Sequence, residues 1–430
     1  MTAATPSGPQ PPVRFRSGRN LRWRLVLSTL LRRPLLLHSS SAAPVVATRA
    51  EACLLRFLQA ITRGTRVHCT AAGRRLLYAP GFLSGVDGTD ALVFDCSDLR
   101  PRPVTYILEA WLALAPFCKR AASITLHRCI TDGGGPDDAV EAWAGATLPL
   151  LRQLLQGDDG GDGGPVLADG HTADDLQLRV LQRGFAADSC GRVHVSCPVL
   201  RGGITAAALE RLLRGGDDPL GGGSAVQRVR GVAVTAGLAP LWTQRLVDEA
   251  RQHLQPYLAD VYIRRDRVRG RAAPGYSLTL EAHTADGCVY AVSEAFSSHP
   301  NEVEEQGEEG PIADTDGAAS AAPPCLSSAV SESVRRCVQQ LVRGSVRNGG
   351  RVDLARQSLL LYFMALGPAG GVWRACLGQQ LAMPAVRFLR DLRTLTGVVF
   401  RVERRDASPM PLLWLSCVGT GYKNWSRAQH

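Results

Sequence analysis

The chain reads as an α/β protein in which a helix-plus-strands unit recurs. Three observations predict this. Helical and strand periodicities alternate from about residue 13 to 200 instead of segregating into blocks. A second arm, at roughly 205–297, carries a helix and strands of its own. The 430 residues, with 45% apolar and 20% charged content, can bury a substantial core in two or three domains.

Residues 1–12 are rich in Pro, Ser and Thr and read as disordered. Arg24-Leu-Val-Leu-Ser-Thr-Leu30 reads as the first core helix. A competing signal surrounds it: the first fifty residues lack Asp and Glu, and seven Arg fall between Arg14 and Arg33, as in a mitochondrial transit peptide. Over 50–63, Leu54, Leu58 and Ile61 share one face at helical spacing. Residues 65–69 and 76–78 read as short strands, 104–117 as an apolar helix, 123–127 as a strand and 138–155 as a helix. Leu176, Leu178 and Val180 alternate with Gln177 and Arg179, the period of a half-buried strand. The Gly/Asp-rich stretch 157–170 must be a surface loop.

In the second arm a helix is expected around 242–254, with strands near 261–264, 276–283 and 288–292. Residues 299–324 hold Glu302, Glu304, Glu305, Glu308 and Glu309 and too few apolar side chains to pack. Helices follow at 326–341, from about 353 and at 384–395, then closing strands at 398–402 and 412–417.

A net charge of +10 invites a polyanionic partner, because basic surfaces draw nucleic acid by counterion release. Only Lys119 and Lys423 are lysines among 49 basic residues, a bias that a GC-rich coding sequence produces by itself. Charge alone is therefore weak ground for RNA binding. Twelve Cys are scattered without a Cys-x-x-Cys pair, which fits reduced, mostly buried thiols of the cytosol or nucleus. His127-Arg-Cys129 and His194-Val-Ser-Cys197 each offer two ligands, but neither has a partner pair at zinc-finger spacing, so no metal is expected. Arg32, Arg33 and Pro34 interrupt the apolar run 25–37, and no membrane span is expected. Gly221-Gly-Gly223 lacks the following Lys-Ser/Thr of a phosphate loop and reads as a turn.

Several separated segments carry a family resemblance. They are Asp95-Cys96-Ser97, Leu114-Ala-Pro-Phe-Cys-Lys119 with Ser123-Ile-Thr-Leu126, Arg228-Val-Arg-Gly-Val-Ala233, and Asp260-Val-Tyr-Ile263. Pro274-Gly-Tyr-Ser-Leu-Thr-Leu280 with Gly287-Cys288, and Leu415-Ser-Cys-Val-Gly-Thr-Gly-Tyr-Lys-Asn-Trp-Ser426, complete the set. As an ordered set they resemble the cyclase-like, non-cyclising branch of the RNA 3'-terminal phosphate cyclases, of which this chain looks like a divergent member. The resemblance implies repeated helix-pair plus four-stranded-sheet modules with a smaller inserted α/β domain. The expected division is a disordered 1–12, a first part of the core at 13–204, an inserted domain at 205–297, an acidic flexible segment at 298–325 and the last part of the core at 326–430.

In the cyclases a His-Leu-x-Asp-Gln segment supplies the His that carries AMP. The similar segment here is Arg351-Val-Asp-Leu-Ala-Arg-Gln357, with Asp353 in the His slot. A carboxylate does not replace imidazole as a phosphoramidate-forming nucleophile. The family's Arg-Gly-x-x-Pro-x-Gly-Gly-Gly signature frees backbone amides to cradle an anion. Here it reads Arg183-Gly-Phe-Ala-Ala-Asp-Ser-Cys-Gly191 and has lost its proline and two glycines. The family's early Gly-Gly-Gly-Gln is represented by Ser17-Gly-Arg-Asn20, and its Arg-rich stretch by His38-Ser-Ser-Ser-Ala-Ala-Pro44.

Asp353 also has a plain structural reading. Aspartate before an apolar helical run is a preferred N-cap, worth about 1 kcal/mol, and this reading is favoured over acid/base chemistry. Arg356 and Gln357 either face the same cleft or are solvated helix residues. Arg264-Arg-Asp-Arg-Val-Arg-Gly-Arg271 is the densest basic run, read as a loop that grips phosphates or an acidic peptide, or is merely solvated. The candidates for RNA or partner contact are Arg22, Arg24, Arg183, Arg230, Arg264, Arg265, Arg356 and Gln357.

The resemblance implies a catalytically inactive protein of the nucleolar small-subunit processome, needed for pre-rRNA processing and biogenesis of the small (40S) ribosomal subunit. Pre-rRNA, a small nucleolar RNP and a ribosome-assembly GTPase are the implied partners, with no cofactor. The alternatives are a pre-rRNA endonuclease, an active ATP-dependent cyclase with another nucleophile, and a mitochondrial RNA-binding protein.

Overall fold

Short apolar strands, each joined to a helix that covers it, build the first sheet. It contains β1 (Val13–Phe15), β2 (Leu35–His38), β3 (Arg66–Cys69) and β4 (Arg75–Ala79) in the order β1-β2-β4-β3. β1 and β2 are parallel and therefore need a crossover, which helix α1 (Leu21–Leu31) supplies. The other pairings are antiparallel, and α2 (Arg49–Ala60) leads from β2 to β3. Thr48 and Glu51 cap α2 reciprocally: the Thr48 hydroxyl accepts the Glu51 N–H, and the Glu51 carboxylate accepts the Thr48 N–H. Cys53, Leu54, Phe57 and Leu58 form its buried stripe.

The second sheet has the same order and senses. Its strands are β5 (Leu92–Asp95), β6 (Ala122–Cys129), β7 (Gln177–Gln182) and β8 (Gly191–Cys197), arranged β5-β6-β8-β7 with only β5 and β6 parallel. Helix α3 (Thr105–Leu114), buried on all sides, makes the crossover. A π-helical turn, Trp143–Thr147, and α4 (Leu148–Leu155) lead toward β7. Helix α5 (Ala206–Leu213) follows β8.

The third sheet is built differently. It has β9 (Val226–Ala236), β10 (Val261–Val268), β11 (Gly275–Thr284) and β12 (Val289–Ser297) in the order β10-β9-β11-β12. Helices α6 (Pro240–Leu254) and α7 (Leu326–Gln339) pack on it. The chain closes with α8 (Gln357–Leu366), β13 (Val372–Cys376), α9 (Met383–Thr396), β14 (Arg401–Arg405) and β15 (Leu412–Val418), the strands in the order β13-β15-β14. This description rests on a computed structural model that describes residues 11–39, 44–70, 73–85, 91–134, 137–156, 167–186, 190–215, 225–268, 274–297, 326–405 and 411–427.

The first, second and fourth sheets share one apolar core with α1–α5, α8 and α9. The third sheet, α6 and α7 form another, containing Leu246, Tyr276, Val330 and Val334. Phe185, which follows β7, packs on Val234 and Ala236 of β9 in a small separate cluster between the second and third sheets. The boundary expected at 204/205 falls ahead of α5, yet Leu209 and Leu212 of α5 belong to the first core. Likewise α7 lies beyond 297 and belongs to the second.

Several expectations need correction. The strand expected at 398–402 is β14, at Arg401–Arg405, because Gly397 (φ 79°) ends α9 in a left-handed turn and the chain needs three more residues to reach the sheet. The helix expected from 353 begins at Gln357, after a turn. The basic run expected as a loop starts within strand β10, which holds Arg264, Arg265 and Arg267; residues 269–271 lie outside the described residues. The helix expected to reach 63 stops at Ala60, and Thr62–Arg63 instead pairs with Phe82–Leu83. The acidic stretch 298–325, most of the loop at 157–170 and residues 1–10 also lie outside the described residues.

Candidate functional site

A cleft of about 640 Å³ opens where α1, α3, β12 and the turn before α8 meet. Asp353 forms part of its floor and is 2% exposed. Its Oδ1 accepts the Arg356 backbone N–H at 3.2 Å, and its Oδ2 accepts the Ala291 N–H at 3.0 Å and Arg356 Nη1 at 2.6 Å. Arg356 is equally buried. Its Nε donates to Thr147 Oγ1 (3.0 Å), and its Nη2 donates to Asp138 Oδ2 (3.2 Å) and the Ala142 carbonyl (3.0 Å). One guanidinium thus ties β12, the π-helical turn and the approach to α8 together. A charge buried this deeply is tolerated only with partners on most of its donors, and Arg356 has them.

Asp353 accepts the N–H three residues on, as an N-cap does, but Arg356 holds the N-cap position of α8. The capped unit is the turn, not the helix. Both carboxylate oxygens are engaged, which leaves poor access for attack on a phosphoryl group. Asp138, facing the same guanidinium, is pushed up to about 6 by burial, with Arg356 opposing and the Asp353 charge adding to the rise.

Arg22 forms a cleft wall. It ion-pairs with Glu109 and Asp137, the latter at 3.5 Å, and lies over the Tyr106 ring at 4.5 Å; Arg102 lies over the same ring at 4.3 Å. At the rim, Arg19 and Arg387 are exposed, and no ion pair is found for either among the described residues. Arg24 is turned inward: its Nε donates to Asp391 at 2.9 Å and its Nη1 to the Ser17 carbonyl at 2.7 Å. Asn20 donates to the other Asp391 oxygen at 2.6 Å, so Ser17–Asn20 is fastened to α9.

The remaining candidates lie elsewhere. Gln357 is fully buried, donating to the Leu377 and Gln380 carbonyls and accepting the Ala382 N–H. Arg183 sits among three carboxylates: Asp132 (3.3 Å), Glu141 and Asp266 (3.2 Å). Asp132 is pushed up to about 6 by burial and by the Glu141 charge, against Arg183 and the Ser277 hydroxyl. A Cβ at Gly184 would overlap Gly191 N and Cys129 O, so the two surviving signature glycines allow backbones to touch. Residues 187–189 of that signature are outside the described residues. Arg230 makes a two-pronged pair with Asp260, at 2.7 and 2.9 Å. Arg264 and Arg265 are exposed, and Arg265 donates to Gln244.

The structure therefore brings Asp353 and Arg356 together with Arg22 around one cleft, turns Gln357 into the core, and places Arg183, Arg230, Arg264 and Arg265 elsewhere. Sequence reasoning passed over Glu109, Asp132, Asp137, Asp138 and Asp391. A signal was present for three of them in Thr131-Asp-Gly-Gly-Gly-Pro-Asp-Asp138, an acid- and glycine-rich exit from β6. Among the described residues no group of three or more His, Cys, Asp or Glu is arranged to hold a metal ion. No helix there is long and apolar enough to cross a membrane.

Comparison with known proteins gives the surroundings a family. Residues 224–321 match the RNA 3'-terminal phosphate cyclase (RTC) insert domain. The chain is 32% identical to the mouse RNA 3'-terminal phosphate cyclase-like protein over 417 residues, covering 95% of each. It is 31% identical to the human protein of that name, again over 95% of each. It is 28% identical to the rRNA processing protein rcl1 of Schizosaccharomyces pombe, over 96% of this chain and 97% of that one. A third of the residues shared along nearly the whole length, in a mixed α/β fold whose third sheet coincides with the matched insert, places this chain in the RNA 3'-terminal phosphate cyclase-like protein family.

Proposed function

We propose that this protein is a catalytically inactive cyclase-like factor of the small-subunit processome, serving pre-rRNA processing and small (40S) ribosomal subunit biogenesis in the nucleolus. The observation that carries the reading is Asp353: it stands in the slot of the cyclases' AMP-carrying His, with both oxygens committed to Arg356 and Ala291. The similarity to an rRNA processing protein of S. pombe supports the same reading. Its partners in this role are pre-rRNA with a small nucleolar RNP and a ribosome-assembly GTPase.

Phosphate contact falls to arginines that face water. Arg19 and Arg387 at the cleft rim fit RNA, and Arg264 and Arg265 fit RNA or a protein partner. Arg24, Arg183, Arg230 and Arg356 are held by carboxylates and serve the frame, as does Arg22 in the cleft wall.

The frame itself is read as a repeated module. A strand-helix-strand-helix-strand-strand unit, with its first two strands parallel, describes the first and second sheets. The fourth follows the same plan without its first strand. The domain inserted before that last unit is taken to run from about 225 to 346, following the membership of the second core.

Depletion of the protein followed by analysis of rRNA precursors tests the reading. The expected result is accumulation of unprocessed precursor with loss of mature small-subunit rRNA, rescued by an Asp353→Asn copy. Normal precursors after depletion, or a stable adduct of the purified chain with labelled ATP, would overturn it.

A further inference from the structure

Strand β7 ends the second sheet and β10 ends the third, and both line one groove of about 530 Å³. Leu178, Val180 and Leu181 lie on one side of it, and Arg264, Asp266 and Val268 on the other. An edge strand carries backbone N–H and C=O groups that its own sheet leaves unused. Proteins usually blunt such edges with bulges or very short strands. β10 instead runs eight residues and keeps unbroken register with β9 from Val261 to Val268.

Side-chain alternation places Tyr262, Arg264, Asp266 and Val268 on one face of β10, with Ile263, Arg265 and Arg267 on the other. Ile263 is buried in the core under α6, whereas Asp266 pairs with Arg183 at the base of the groove, so the first face looks into it. Leu181 is 55% and Tyr262 57% exposed, which is large for apolar and aromatic side chains flanking a groove.

Charge and polarity together select the occupant. Exposed Arg264 and Arg267 line the opening and exposed Arg265 lies between them on β10, while the base is acidic, with Asp132, Glu141 and Asp266 around Arg183. An RNA strand brings phosphates toward those carboxylates and leaves the free strand edge unpaired. A peptide strand pairs the edge and puts alternate side chains on the apolar wall. We propose that this groove takes an extended, acidic peptide segment of a partner protein. The segment adds to the β10 edge as a fifth strand, seats the apolar side chains of one face against Leu178, Val180 and Leu181, and directs the carboxylates of its other face to Arg265 and Arg267. The assignment does not depend on the role in pre-rRNA processing, and each can fail without the other.

The test is fluorescence anisotropy on the full chain with a labelled octapeptide of alternating Val and Glu. The wild-type chain should bind it, and N-methylation of every second peptide nitrogen, which blocks strand pairing but keeps side chains and charge, should weaken binding at least tenfold. The Arg265→Glu/Arg267→Glu chain, altered only at exposed positions, should lose the Val/Glu peptide and gain a Val/Lys one. Failure of the wild-type chain to bind, equal affinity for the N-methylated peptide, or indifference to the double substitution each overturns the proposal. Tighter binding of a single-stranded octaribonucleotide, lost in the same variant, would make the surface one for nucleic acid instead. A tenfold gain in peptide affinity when Glu302, Glu304, Glu305, Glu308 and Glu309 are changed to Gln would make the chain's own acidic stretch the occupant and overturn the assignment to a partner.

Discussion

Asp353 and Arg356 lie three residues apart: the Arg356 backbone N–H would keep its bond to Asp353 in any variant at 356, but the guanidinium–carboxylate bond goes with either side chain. Replacing Arg356 by Met strands two buried carboxylates, Asp353 and Asp138, and is expected to cost about 3–5 kcal/mol of stability in a urea titration. Asp353→Asn keeps the size and one acceptor and should cost clearly less; equal losses would contradict this account. The pH dependence has a definite sign. Burial raises the Asp138 carboxyl from its usual 3.8 to about 6, so the native state binds that proton more tightly than the unfolded chain does. The cost of ionising it is present in full above 6, shrinks as pH falls through 6, and is gone below 3.8. Stability of the natural chain relative to Asp138→Asn should therefore rise by up to about 3 kcal/mol between pH 7.5 and 4, the value of a two-unit shift. A flat difference would reject the assignment. The proposed replacement of the family's His by Asp353 could be read in sequence because one motif contains it. Ala291, which bonds Asp353, and Thr147 and Asp138, which bond Arg356, were not, since contacts at such separations leave no local pattern.

Among the elements, legibility followed the strength of periodicity. The helix expected at 242–254 is α6 at Pro240–Leu254, and the strand expected at 276–283 is β11 at Gly275–Thr284. β1, β2, β5 and β13 escaped because each is short, and a uniform run such as Leu35-Leu-Leu-His38 alternates nothing; α5, β8 with 7 residues and β9 with 11 escaped as well, and length does not explain those. β10 was mistaken for a loop beyond 264 because an edge strand can expose arginines on both faces, where an inner strand cannot. The eroded glycine signature is explained at this scale too. Gly184→Ala should destabilise by about 1–3 kcal/mol, since its Cβ would overlap backbone atoms of Gly191 and Cys129 that cannot swing aside. Gly202→Ala, with nothing within 4 Å of the added Cβ, should leave the thermal midpoint unchanged.

At the scale of the whole molecule, the net charge of +10 says less than its placement. Internal carboxylates neutralise Arg22, Arg24, Arg183 and Arg356, so the arginines available to an anion are those at rims and edges. If Arg19 and Arg387 meet phosphate in the proposed role, charge reversal at both should lower affinity for single-stranded RNA. It should also reduce the slope of log K against log salt by roughly 1.4, at about 0.7 for each phosphate no longer neutralised. An unchanged slope would place the RNA surface elsewhere.

By itself the sequence determined the α/β class and the family resemblance, and through that resemblance it proposed Asp353 for the slot of the cyclases' AMP-carrying His. Each of these rests on local chemistry: side-chain period, short motifs and the identity of one residue. Tertiary structure alone decided which arginines are neutralised, that α5 and α7 join different cores, and that two strand edges face one groove. Those outcomes depend on which groups distant in the chain are brought into contact, and burial then sets the worth of every charge among them.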